Sequence, residues 1–298
     1  YRDLDSDKDL CSDVIEAGFI DADGDGKFGT TPITVDANGL VIGAPYTIPN
    51  PDYLISAPIV ITTQPNVAPA CELQNATITL VDNGGNTYQW QLSTDGINWS
   101  NLTNDATYAD VTTKTLTINS VTKTMDGYKY RVQLNKIGNS CGLTSAETTL
   151  TVFDLPVVKD ITIIQCGVDL SGISTFNLTV NNNDISSDFA NETFTYYKTL
   201  AGANTADATQ LISTPLAFTN TTPFLMYVWT RVVNKNGCFR TAQITLQVLA
   251  TQIPITYNRS FEVCDDFLDI NGINNTNNDK RDGISTFDFS SVKTEIQT

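Results

Sequence analysis

Five acidic residues, Asp5, Asp7, Asp9, Asp13 and Glu16, stand at positions 1, 3, 5, 9 and 12 of a twelve-residue frame. The first half of the pattern returns in Asp21, Asp23 and Asp25, followed by Gly26. Carboxylates on alternate residues of a tight loop repel one another unless a cation lies between them. The donors are hard oxygens and the 298 residues contain no histidine, so the expected cofactor is calcium rather than zinc or iron. In the first frame Cys11 falls at position 7, which offers a backbone carbonyl, while Leu10 takes position 6, where a glycine usually makes the sharp turn. The second frame has Gly26 at position 6 and Lys27 at position 7, but Gly29 and Pro32 replace the acids at positions 9 and 12. It must therefore borrow ligands, and Asp3, Asp36, Asn38 and Asp52 are the candidates.

The segment that positions these carboxylates has its own composition. The whole chain carries a net charge of −16, and residues 1–54 hold eleven acidic side chains against only Arg2, Lys8 and Lys27. Such concentration calls for a local partner rather than a general solubility effect. Hydrophobic periodicity is nearly absent there, with only short phrases such as Val14-Ile15 and Ile33-Thr34-Val35. Bound ion is expected to substitute for a core. No basic face exists for nucleic acid, and no stretch approaches the ~20 apolar residues of a membrane span. Tyr1 has no signal peptide before it, so the chain is expected to begin within the mature region of a longer protein.

From about Ala57 the pattern changes to short alternating strands separated by turns such as Asp82-Asn83-Gly84-Gly85, Asp95-Gly96 and Asp126-Gly127. Tyr88, Trp90 and Leu92 share one face, with Gln89 and Gln91 on the other. Leu116 and Ile118 alternate with threonines, and Tyr128, Tyr130, Val132 and Leu134 line a further strand. The expected fold is mainly β: an irregular calcium-binding array over 1–54, then antiparallel sandwiches over 57–153 and 154–250, and the start of another over 251–298. An internal repeat supports the tandem reading. Gly172-Ile173-Ser174-Thr175-Phe176 returns as Gly283-Ile284-Ser285-Thr286-Phe287, and the cysteines preceding them, Cys166 and Cys264, lie 98 residues apart. The second copy ends a third of the way through, so the chain is expected to be a piece of a longer array. Asp265, Asp266, Asp269, Asn271, Asn274, Asn275, Asn277, Asn278, Asp279 and Asp282 fall in a 13-residue insertion of that copy and are read as a surface loop in preference to another ion site.

Six cysteines without a CxxC pair fit structural disulfides in an oxidising compartment. Cys166 near the start and Cys238 near the end of 154–250 suit a bridge within that unit. Catalysis finds no support: no histidine for a triad, no reactive-cysteine context and no phosphate loop. Trp99, in the turn Asp95-Gly96-Ile97-Asn98-Trp99, either covers a sandwich edge or stacks on a sugar.

The order Cys71, Trp90, Tyr128, Cys141 resembles the immunoglobulin-like signature, with Val132 where many relatives carry their second cysteine. That resemblance implies a Cys71–Cys141 bridge. Residues 1–54, through Arg2-Asp3-Leu4-Asp5-Ser6-Asp7-Lys8-Asp9 and Asp21-Ala22-Asp23-Gly24-Asp25-Gly26, resemble thrombospondin type 3 calcium-binding arrays, which implies several ions wrapped by irregular backbone. The whole combination resembles very long surface proteins of Bacteroidota, including gliding-motility adhesins exported by type IX secretion. This likeness implies a secreted, cell-surface, non-catalytic adhesin or stalk. It also implies passage through the type IX secretion machinery and a ligand on a host, a substratum or a glycan. The alternative is a carbohydrate-binding or auxiliary region of a secreted polysaccharide-degrading enzyme.

Overall fold

The Asp-rich segment folds around its own carboxylates. In the computed structural model, which describes residues 3–43, 45, 48–167, 171–249, 257–266, 268, 271, 273, 281 and 283–292, this segment has one short helix, α1 (Asp13–Glu16), and a 3-10 turn over Pro51–Leu54. Isolated bridges pair Asp21 with Gly29 and Val35 with Val41. Its aliphatic side chains Leu10, Ile20, Ile42 and Ile48 are exposed.

Eleven strands follow: β1 (Ile61–Val67), β2 (Ala70–Cys71), β3 (Ala76–Asp82), β4 (Thr87–Ser93), β5 (Ser100–Asn101), β6 (Tyr108–Ala109), β7 (Thr115–Ile118), β8 (Lys129–Lys136), β9 (Asn139–Thr144), β10 (Thr148–Thr149) and β11 (Val152–Phe153). One sheet has the order β1-β3-β7-β6; the other has β10-β8-β4-β5, with β9 also on β8. Period-two alternation turns Ile78, Leu80, Trp90, Leu116, Ile118, Tyr130, Val132 and Leu134 into one shared core, with Tyr88, Leu92 and Tyr128 packed against it. Each fully buried side chain of this size stabilises by roughly 1.5–3 kcal/mol. The Trp90 indole N–H donates to the Thr113 carbonyl at 2.9 Å, so its burial leaves no polar atom unpaired. Val132, standing where a cysteine is common in the resembled family, packs as an ordinary core residue.

The glutamine face of β4 is less open than alternation implies. Gln91 is buried, accepts from Arg131 Nε at 2.7 Å and donates to Asn101 Oδ1 at 2.8 Å. The Arg131 guanidinium lies 4.1 Å from the Trp99 ring centroid. Trp99 therefore covers the outer face of the sheet with a cation already on its ring.

The remaining described strands are β12 (Ile161–Cys166), β13 (Thr175–Phe176), β14 (Thr193–Tyr197), β15 (Phe218–Thr219), β16 (Leu225–Val233) and β17 (Phe239–Leu249), with helices α2 (Asn182–Ile185) and α3 (Leu200–Thr205). The order β12-β17-β16-β14 forms one sheet, and β13 pairs with β15. Here the antiparallel expectation needs correction: β12 runs parallel to β17 from Ile161↔Ile244 to Cys166↔Leu249, and β2 runs parallel to β11. Side-chain alternation has period two in both kinds of pairing, so it cannot reveal strand direction.

The chain divides into two compact units. One holds the residues up to Val158 with Ser186–Phe194 and Arg231–Arg240; the other holds Lys159–Ile185, Thr195–Thr230 and the residues from Thr241 onward. In the first copy of the repeat, Phe176 and Leu178 are fully buried. Gly172 is obligatory there, at φ +70 with a hypothetical Cβ 2.8 Å from the Phe224 nitrogen. In the second copy Gly283 keeps the left-handed backbone, but Phe287 and Phe289 are exposed. Asp269, Asn274, Asn275, Asn277, Asn278, Asp279 and Asp282 lie outside the described residues. Among the described residues no helix is long and apolar enough to cross a membrane.

Candidate metal centre

Both aspartate frames adopt one backbone. Position 4 is left-handed in each (Lys8 φ 62, Gly24 φ 75), and so is position 6 (Leu10 φ 76, Gly26 φ 76). In the first loop Asp5 accepts the N–H groups of Asp9 and Leu10, both at 3.1 Å, and Asp9 accepts from Cys11 N–H at 2.9 Å. The second loop repeats this: Asp21 accepts from Asp25 at 3.1 Å and Gly26 at 2.9 Å, and Asp25 from Lys27 N–H at 3.0 Å. Leu10, 86 % exposed, thus takes the conformation that Gly26 takes freely.

The carboxylates gather in two groups. Asp5, Asp7 and Asp9 bring oxygens within 4.8 Å of one another, as do Asp21, Asp23 and Asp25. The groups differ in what those oxygens already hold. Both oxygens of Asp7 and both of Glu16 are shut off from solvent with no hydrogen-bond partner. Glu16, on α1, has no solvent exposure at all. Its carboxyl is pushed up to about 7 by burial and by the neighbouring charges of Asp9, Asp7, Asp13 and Asp5. Burial, with Asp9 and Asp5, raises Asp7 as well. Buried carboxyl oxygens without partners are destabilising by about 1–3 kcal/mol each. A hard cation coordinated by them removes both penalties, so the residues present fit calcium.

Asp13 is engaged otherwise, accepting from Ser6 N–H at 2.7 Å and Ser6 Oγ at 2.5 Å. In the second group, Asp23 accepts from Thr31 N–H at 2.5 Å and Asp25 from Lys27 Nζ at 2.7 Å. The Lys27 and Thr31 hydrogen bonds hold the Asp25 carboxyl below the usual range. The proposed borrowed ligands sit in local turns. Asp36 accepts from Asn38 N–H at 2.8 Å and Leu40 N–H at 2.9 Å, Asp52 from Asn50 Nδ2 at 2.6 Å, and Asp3 from Asp5 N–H at 3.4 Å.

Disulfide pairing departs from both sequence expectations. Cys11 bonds Cys141 and Cys71 bonds Cys238, while Cys166 and Cys264 are free and exposed. Cys71, on β2, and Cys141, on β9, belong to different pairings of the sandwich, so neither of them meets the cysteine that order along the chain suggests. The sequence held no cue for the role of Asn139, whose Nδ2 donates to Asp9 Oδ2 at 3.1 Å beside the Ala57 N–H at 3.2 Å.

Residues 162–254 match the Flavobacterium inter-domain disulphide bond domain (FIDD), and residues 61–154 match a domain of unknown function, DUF8696. The Cys71–Cys238 bond joins a residue of one matched stretch to a residue of the other. No curated protein matches the chain. Similar solved structures include the N-terminal Ig1-2 module of the Drosophila receptor tyrosine phosphatase DLAR. It shares 12 % identity, with 65 % of this chain and 100 % of that one covered, at a TM-score of 0.27. An I-band fragment of titin shares 11 % identity over 65 % of this chain and 66 % of its own, at 0.30. At such scores these likenesses add nothing to the topology described above. The disulfides and the FIDD match define a mainly β, disulfide-bonded extracellular protein.

Proposed function

We propose that residues 1–54 bind calcium and act as a stiffened joint on an immunoglobulin-like module of a long, non-catalytic surface protein, of adhesin or stalk type. One observation carries the calcium reading: Asp7 and Glu16 present four buried carboxylate oxygens with no partner beside Asp5 and Asp9. In the first loop Asp5, Asp7, Asp9 and Glu16 would hold the ion, with the Cys11 carbonyl at the frame's backbone position. In the second, Asp21, Asp23, Asp25 and the Lys27 carbonyl are the candidates, and Lys27 Nζ must leave Asp25 as the ion enters. Calcium supplies charge neutralisation and oxygen coordination, which is structural chemistry.

The adhesin role and type IX export rest on resemblance to Bacteroidota surface proteins, and disulfide-linked sandwiches suit a chain that must hold its shape outside the cell. Extracellular calcium modules bind at roughly 10⁻⁴–10⁻³ M, so the loop would be loaded there. The test is calcium titration by calorimetry with limited proteolysis in calcium and in EDTA. Cleavage within 1–54 is expected to accelerate in EDTA while 61–153 stays intact. Absence of binding heat together with identical digestion would refute the calcium reading.

A further inference from the structure

The first aspartate loop is wired to the sandwich through a closed ring of contacts. Cys11 N–H donates to Asp9 Oδ1 at 2.9 Å, and Cys11 is bonded to Cys141 on β9. Cys141 N–H and Gly142 N–H donate to Asn139 Oδ1 at 3.2 and 3.1 Å. Asn139 Nδ2 returns to Asp9 Oδ2 at 3.1 Å. Asp9, Cys11 and Asn139 are buried, whereas Cys141 is exposed.

On the calcium reading above, we propose that this ring makes calcium affinity and the Cys11–Cys141 redox state one coupled equilibrium. Asp9 Oδ1 accepts one hydrogen bond, from Cys11, and keeps a lone pair for a metal, while Oδ2 accepts two, from Asn139 and Ala57, which hold the carboxylate in place. Asn139 is the positioning residue that aims Asp9, and its own amide is fixed by the backbone beside Cys141. Partners of this kind, outside the ligand set, typically change metal affinity by 10–100-fold. Reduction adds two electrons and two protons from the dithiol, which leaves as its cyclic disulfide, and Cys11 and Cys141 become separate thiols. The bond that closes a 130-residue separation is then gone. Asp9 loses its fixed orientation, and the repulsion among Asp5, Asp7 and Asp9 opens the loop. Linkage is reciprocal: whatever factor reduction removes from calcium affinity, saturating calcium adds to the stability of the bond.

The test is a redox titration of the full chain in dithiothreitol buffers, with saturating calcium and with EGTA, read by alkylation and peptide mapping at each cysteine. Calcium is expected to favour the Cys11–Cys141 bond about tenfold, or about 30 mV for a two-electron couple, and to leave Cys71–Cys238 unmoved. Calorimetry of Asn139→Ala, with the bridge intact, is expected to show calcium binding weakened about tenfold. A Cys11–Cys141 midpoint indifferent to calcium in a chain that binds the ion would overturn the coupling. So would an equal shift of both bridges, which marks general stabilisation. A chain that shows no calcium binding heat refutes the metal reading itself, a separate outcome.

Discussion

Asp7→Asn separates an ion site from a solvated acidic loop, because the two readings predict opposite signs in calcium. Oxygens of Asp5, Asp7 and Asp9 lie within 4.8 Å of one another. At an effective dielectric of about 20, each pair at that distance repels by about 3.5 kcal/mol in Coulomb terms, and measured couplings between partly exposed charged side chains are of the order of 1 kcal/mol. Neutralising Asp7 removes two of the three pairs, so without calcium the variant is expected to be more stable than the wild type by about 2 kcal/mol. With calcium the sign reverses. At a hundred times the dissociation constant, ligand binding stabilises the wild type by about 2.7 kcal/mol, and an asparagine that supplies no charge forfeits most of that gain. The assay is urea unfolding of both proteins in EGTA and in saturating calcium, monitored by tryptophan fluorescence and by proteolysis of 1–54. Crossing of the two stability differences supports the site. A variant that is more stable by the same amount in both buffers would refute the reasoning, since only relief of repulsion would then be at work.

Leu10→Gly is expected to stabilise the first loop by about 0.5–1 kcal/mol, the left-handed strain relieved minus the extra chain entropy of glycine; Gly26→Ala is expected to destabilise the second by a similar amount, and both are read by thermal unfolding in calcium. The Asp82 carboxyl, which burial alone would raise, is held down at about 2 by hydrogen bonds from Lys114, Asn86 and Tyr88. Its folded value lies below the unfolded one near 3.9, so its contribution of about 2 kcal/mol is complete above about pH 4 and lost as pH falls through about 2. The stability gap between wild type and Asp82→Asn should therefore close over that window in urea titrations, and a gap that widens there would contradict the assignment.

Much of the first sandwich is readable from the text because burial on one face leaves a period-two record. Ile78, Leu80, Leu116, Ile118, Tyr130 and Val132 fall where alternation puts them. The aspartate frames are readable for a similar reason: a loop closed by its own carboxylates needs them at fixed spacing. Cysteine pairing is different. A disulfide depends on two strand ends meeting in space, and nothing local to Cys11 names Cys141, 130 residues away, as its partner. Parallel pairing of β12 with β17 is likewise a property of topology that side-chain alternation does not encode. Asn139 escaped because a single asparagine in a chain rich in asparagine carries no signal until Asp9 lies beside it.

Leu10 shows what shapes these loops. A bulky residue with φ of 76 is unfavourable by about 1–2 kcal/mol. Against it stand three hydrogen bonds from backbone N–H to a carboxylate, those from Asp9, Leu10 and Cys11. Each bond to a charged acceptor contributes about 1.5–3 kcal/mol, so the aspartates outweigh the strain and the glycine is dispensable. The carboxylates then divide their labour. Asp5 and Asp9 bend the first loop, and Asp13 holds Ser6. Asp7 and Glu16 form no hydrogen bond with the protein through their buried oxygens, which leaves every lone pair for a cation. In the second loop the residue matching Asp7 is Asp23, and its carboxylate already accepts from Thr31 N–H. Coordination there must displace a backbone hydrogen bond and the Lys27 ion pair before the ion gains anything. The two frames share a spacing and a backbone, yet the first should fill at lower calcium concentration than the second.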